Sequence, residues 1–173
     1  MGCDIHLHCE VKNEEGNWVD LGEVWDDRHY SAFTALCGVR DYTGESPKIS
    51  EPRGIPEDAT ETTKSDYEEW DCDAHSASHV TLKEIREFVK KNGHIKRTGL
   101  LSQSQAADLD ILDRTPDHWC QGTDQEGYVL REWEETGENP LTDLLEILVS
   151  IYWDNWHGDD HLTSLRIVFW FDN

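Results

Sequence analysis

Positive charge is scarce in this chain: seven lysines and eight arginines stand against 37 Asp and Glu, and the formal net charge is -22 over 173 residues. An acidic field of that size repels polyanions, which argues against general DNA or RNA binding. Long apolar runs are missing as well. No stretch approaches the roughly 20 residues of a membrane-spanning helix, and no signal-peptide pattern opens the chain, so a cytoplasmic location is expected. The five cysteines, Cys3, Cys9, Cys37, Cys72 and Cys120, contain no Cys-x-x-Cys pair. Cys3 and Cys9 would lie about 20 Å apart along one strand, beyond disulfide reach, so reduced thiols are expected. There is no Walker loop, no Gly-x-Gly-x-x-Gly turn and no Gly-x-Ser-x-Gly elbow, which leans the reading away from catalysis.

What the chain does have is aromatic mass. Eight Trp, five Tyr and four Phe offset a hydrophobic fraction of only 36%, enough for one folded domain with an aromatic-rich core. From Cys3 to Lys12, apolar Cys3, Ile5, Leu7, Cys9 and Val11 alternate with Asp4, His6, His8, Glu10 and Lys12, the period-2 pattern of a strand. A turn at Asn13–Asn17 and a second strand from Trp18 to Trp25 complete a hairpin. A short helix is expected from Tyr30 to Cys37, closed by Gly38. Residues 43–66, with Pro47, Pro52 and Pro56, read as a long loop. Thr81 and Glu84 form a capping box for a helix running to Asn92. A weaker helix follows over Ser102–Leu112, and another starts at Asn139-Pro140. A last strand spans Leu165–Phe171, with Leu165, Ile167, Phe169 and Phe171 facing inward. The expected fold is one α+β domain over 1–173: a mainly antiparallel sheet, made of the N-terminal hairpin and the C-terminal strand, packed by about three helices.

Several segments in order carry a resemblance. They are Met1-Gly2-Cys3-Asp4-Ile5-His6, Tyr30-Ser-Ala-Phe33 through Gly38-Val39-Arg40, and Ile49 through Asp58 around Arg53-Gly54. His75-Ser76-Ala-Ser78 with Leu82 and the closing Val168-Phe-Trp-Phe-Asp172-Asn173 complete them. Together they resemble a family of small tailed-phage and prophage proteins without an assigned reaction. The resemblance implies a viral origin and action in the cytoplasm of an infected host.

Four constellations could carry chemistry. On a strand, Asp4, His6, His8 and Glu10 project to one face, with alternate residues about 7 Å apart, so two could grip a divalent ion such as zinc or manganese. Their alternative role is a solvated face or a buried hydrogen-bond network. The Asp71–His79 segment, placed before the Thr81 helix, would gather Asp73, His75, Ser76 and Ser78 near a helix N-terminus suited to anions. Asp73 and His75 could complete a metal site begun by Asp4 and His6; the alternative is a tight loop whose serines satisfy backbone groups. His79-Val80-Thr81 and His161-Leu162-Thr163 resemble the paired His-x-Thr motifs of two-histidine phosphoesterases. Those motifs need strands, however, and Thr81 is expected to serve as a helix cap. Last, Arg40 and Arg53 could hold a phosphate, with Trp70, Trp119 or Tyr42 stacking a base, unless both arginines are ion-paired.

These features lead to one expectation and two alternatives. The expectation is an accessory protein binding a small nucleotide-like, phosphate-bearing ligand through Arg40, Arg53, His75, Ser76 and Ser78, with a possible role against host defence. One alternative is a metal-dependent phosphoesterase using Asp4, His6, Asp73 and His75. The other is an acidic protein engaging a basic host factor, with self-association open.

Overall fold

Alternation alone builds the first element. In the computed structural model, which describes residues 2–41, 44, 46–112, 116–120, 124–136, 139–155 and 162–172, Ile5–Lys12 form strand β1. Tyr42 and His161 lie outside those residues. β1 pairs antiparallel with the short β2, Trp18–Asp20, giving the expected hairpin with a second strand shorter than the Trp18–Trp25 expectation. Its other edge pairs antiparallel with β6, Leu165–Phe171, in a register running from Ile5 opposite Phe171 to Val11 opposite Leu165. A further strand, β3 (His75–Thr81), pairs with the far edge of β6, so the sheet order is β2-β1-β6-β3.

The contacts divide the chain into two compact units, residues 1–90 with 139–173, and residues 91–138. The first holds the four-stranded sheet. Cys3, Ile5, Leu7 and Cys9 join Leu165, Ile167, Phe169 and Phe171 on one face, where they meet helices α1 (Tyr30–Cys37), α3 (Leu82–Asn92) and α5 (Thr142–Asp154). Phe33 packs against Phe171 with ring centroids 5.0 Å apart and planes tilted by 60°. Gly38 closes α1 with φ +83, a left-handed conformation that favours glycine.

The opposite face of the sheet is also covered. Helix α2, Glu61–Trp70, lies over it. Thr60 caps α2 by accepting from the Thr63 N–H at 3.3 Å, and Thr63, Asp66, Tyr67 and Trp70 recur at helical spacing toward the strands. The expected loop over 43–66 therefore ends at a helix. Polar composition hid it, because its buried face is made of threonine, tyrosine and tryptophan rather than aliphatic residues.

The second unit contains β4 (His94–Ser102) and β5 (Tyr128–Thr136), paired antiparallel along their whole length, with α4 (Gln103–Leu112) packed on them. Leu101, Ala106 and Trp133 make its small core. The Trp119 ring lies over Gly99, where a Cβ would fall 2.6 Å from a ring carbon. The α+β class and the antiparallel pairing are as expected, with five α-helices and six strands among the described residues rather than about three helices and three strands.

Candidate functional site

Lys12 apart, the polar side chains of β1 are buried or half-buried. His6, His8 and Glu10 share a sheet face with Trp170 and Arg166 of β6, their cross-strand neighbours. At one end Glu10, fully buried, accepts from the Arg166 Nε–H at 2.8 Å, the Thr60 N–H at 2.8 Å and the Thr63 hydroxyl at 2.9 Å. Arg166 also donates to Asp58 at 2.8 Å and lies 3.9 Å above the Trp18 ring, whose own N–H donates to Asp58. This network fastens α2 to the sheet.

At the other end the same face opens into a pocket of about 380 Å³, within the range of small-molecule sites. Its floor is aromatic. His6 lies 3.9 Å from the Trp70 ring and 5.8 Å from Trp170, and His8 stacks on Trp170 at 5.7 Å. Its walls are acidic, with Asp20, Glu23, Asp66 and Glu69 contributing carboxylates. The His8 ring sits between two of them, Nδ1 at 3.2 Å from Asp20 and Nε2 at 3.2 Å from Asp66. A neutral imidazole can donate to only one of the pair, so its tautomer decides which carboxylate receives an N–H. Asp20 is itself held by the Gly22 N–H at 3.0 Å. His6 Nε2 is 3.3 Å from Asp172.

The expected composite site does not assemble. His75 opposes Phe171 on β6 and stacks on it at 6.0 Å, whereas His6 opposes Trp170. Phe171 and Trp170 are adjacent on one strand and point to opposite faces, so the two histidines do also. Asp4 is engaged by Arg28, which donates through Nε and Nη2 and holds its carboxyl below the usual range. Asp73 is exposed in a 3-10 turn at Asp71–Asp73. Among the described residues, no group of three or more His, Cys, Asp or Glu side chains is arranged to hold a metal ion.

The anion-binding reading fares similarly. The 75–81 segment is a strand, not a loop feeding a helix N-terminus. Its Ser78 hydroxyl accepts from the Arg53 N–H at 3.2 Å, and the Ser76 hydroxyl lies 3.1 Å from His75 Nδ1. Arg53 donates to Glu84 at 2.7 Å and to the His79 carbonyl at 3.1 Å, so the ion-paired alternative is the one observed. Arg40 donates to the Gly2 carbonyl at 2.9 Å and lies 5.4 Å above the Tyr30 ring. Neither arginine lines the pocket.

His79, Val80 and Thr81 stand on β3, correcting the expectation that this stretch is not a strand. Thr81 is nevertheless the cap: its hydroxyl accepts from the Glu84 N–H at 3.3 Å, while Glu84 accepts the Thr81 N–H at 2.8 Å. His79 Nδ1 lies 3.2 Å from the Gly54 carbonyl.

The charged and aromatic pocket residues that sequence reasoning missed are Asp20, Glu23, Asp66, Glu69 and Trp170. Trp170 had a readable signal: it occupies the polar phase of a strand, and a tryptophan there requires a cover on that face. No protein-family model, curated protein or solved structure matches the chain. Among the described residues, no helix is long and apolar enough to cross a membrane.

Proposed function

We propose that this chain is a small-ligand-binding protein whose site is the pocket between β1, β6 and α2. The carrying observation is the concentration there of two imidazoles, two indoles and four carboxylates around one cavity of about 380 Å³. A flat, hydrogen-bonding ligand suits that lining, which keeps the nucleotide-like part of the sequence expectation. Its phosphate part loses support, because Arg40 and Arg53 are engaged in the fold. The resemblance to phage proteins supports action in the cytoplasm of an infected host, with the countering of host defence as a role.

The test is a thermal-shift and tryptophan-fluorescence screen of the purified chain with bases, nucleosides, cyclic and linear nucleotides and polyamines. At least one compound should raise the midpoint and perturb tryptophan emission, and Trp70→Leu should abolish both responses. Shifts that survive Trp70→Leu would locate the ligand elsewhere.

A second reading, general acid–base catalysis, has one observation in its favour. His8 is oriented by Asp20, which is in turn fixed by the Gly22 N–H. It predicts turnover of a bound compound that His8→Gln removes while binding survives.

A further inference from the structure

Helix α2 is fastened to the sheet differently at its two ends. Its first turn is tied by Glu10, which is fully buried, paired with Arg166, and accepts from the Thr60 N–H and the Thr63 hydroxyl. Past that turn, the one polar contact between α2 and the sheet among the described residues is Asp66 with His8 Nε2, at 3.2 Å. Tyr67 and Trp70 add only ring contacts, to Trp170 and His6. Directly after Trp70, Asp71 has φ +44 and ψ -119, a conformation that L residues rarely adopt and that persists only where the surroundings impose it. The far end of α2 is therefore docked with strain in the residue that follows it, and with a single polar tether.

That tether depends on a proton. His8 has Asp20 at 3.2 Å from Nδ1 and Asp66 at 3.2 Å from Nε2, so an imidazolium donates to both carboxylates. A neutral ring has one N–H and turns a lone pair toward the other carboxylate. Freedom to move decides which partner is lost. Asp20 is 12% exposed and held by the Gly22 N–H at 3.0 Å, whereas Asp66 is 47% exposed and can turn to water. The other charged groups around the ring do not bond it. Glu10 shares its strand face but is paired with Arg166, and His6 is 3.3 Å from Asp172. Glu23, after β2, and Glu69, on α2, line the same pocket, while β6 presents the Trp170 ring. We propose that His8 is a proton-operated latch: its imidazolium bridges Asp20 and Asp66 and fastens the far end of α2 beside the pocket, and loss of the proton releases it. The fastening is present while the ring is protonated and is lost as pH rises through the range where it deprotonates. Between about pH 5 and 8, histidine is the side chain that ordinarily changes charge. As regulation of ligand access this rests on the pocket being the ligand site; the latch itself needs no ligand.

Hydrogen exchange of the full chain, followed by NMR and read as protection factors that remove the intrinsic pH dependence of exchange, tests the latch without a ligand. The amides of residues 66–70 should be at least about tenfold better protected at about pH 5.5 than at about pH 8, the factor for one hydrogen bond to a charged group. Amides of β1 and β6 should keep their protection. His8→Gln, neutral at both pH values, should abolish the difference. Should that variant fail to fold, Asp66→Asn on the half-exposed side of α2 serves instead and should also abolish it, with His6 and Asp172 untouched. Glu69→Gln removes a pocket carboxylate that does not bond His8 and should leave the difference in place, which separates the latch from the general acidity of the chain. Equal protection at both pH values, better protection at the higher one, or a difference shared by β1 and β6 overturns the latch. So does a difference that survives His8→Gln or Asp66→Asn, or that Glu69→Gln removes. A pH-indifferent α2 in a chain that binds a screened compound rejects the latch and leaves the pocket standing. A working latch in a chain that binds none of them leaves the latch standing and counts against the pocket.

Discussion

Glu10 and Arg166 show how much one residue pair can decide. Both are buried, and between them they hold Thr60, Thr63 and Asp58, the residues that start α2. Removing one partner strands a charge in low dielectric, a loss of roughly 3–5 kcal/mol. Arg166→Met is therefore expected to lower the unfolding free energy measured in urea by that amount, and Glu10→Gln in the same chain should recover part of it. A cost under about 1 kcal/mol for Arg166→Met would mean the pair is less isolated from water than its burial implies. The thiols form a second residue-scale test. Burial pushes Cys9 and Cys37 up to about 12, while Cys72 and Cys120 are exposed. Thiolate is the reactive form, so a disulfide reagent at neutral pH should label Cys72 and Cys120 quickly. Cys3, Cys9 and Cys37 should react only on unfolding. Fast labelling of Cys9 in the folded chain would contradict the buried β1.

At the scale of elements, the junction of β3 and α3 is held by one carboxylate. Burial pushes Glu84 upward, but the Arg53 guanidinium and the Thr81 N–H and hydroxyl together outweigh it, leaving Glu84 below its usual range. A depressed folded-state value means stability is present above the unfolded value, about 4.3, and is lost as pH falls through the folded one. Glu84→Gln should therefore cost stability at neutral pH and flatten the loss below about pH 4.3. Thr81→Ala should cost about 1 kcal/mol in urea denaturation, the usual value of an N-cap. A neutral result for both would remove the cap.

This junction also marks where the sequence could be read. The capping box, β1, β6 and α1 announced themselves through alternation or end signals that depend on neighbours in the chain. β3 did not, because His75-Ser-Ala-Ser78 is small and polar and becomes a strand only by pairing with buried β6. β4 and β5 likewise stabilise each other across a long separation. The site followed the same rule. His6 and His8 were legible as one face of a strand, and Trp70 as an aromatic able to stack a base. Asp20, Asp66 and Glu69 were not, since an acidic residue in so acidic a chain carries no local mark. Asp4 with His75 failed as a site because an intervening strand, β6, fixes the phase of both its neighbours.

For the whole molecule the governing quantity is the net charge of -22, which leaves most carboxylates without a basic partner anywhere in the chain. At low ionic strength these carboxylates repel one another over long distances, and the folded state holds them closer than the unfolded chain does. Salt shortens the reach of that repulsion from about 30 Å at 0.01 M to about 8 Å at 0.15 M. The exposed pairs that salt also weakens, such as Lys64 with Glu61, contribute little to begin with. The buried Glu10–Arg166 pair is shielded from the change. The melting midpoint should therefore rise with sodium chloride over that range, by about 2–4 °C for each kcal/mol of repulsion relieved in a chain of this size. Tetramethylammonium chloride should act as well as sodium, because screening depends on ionic strength and not on ion identity. A midpoint that falls with salt would show that local ion pairs outweigh the global field. A rise seen with divalent cations at millimolar concentration, and not with either monovalent salt, would show that the carboxylates bind a specific ion.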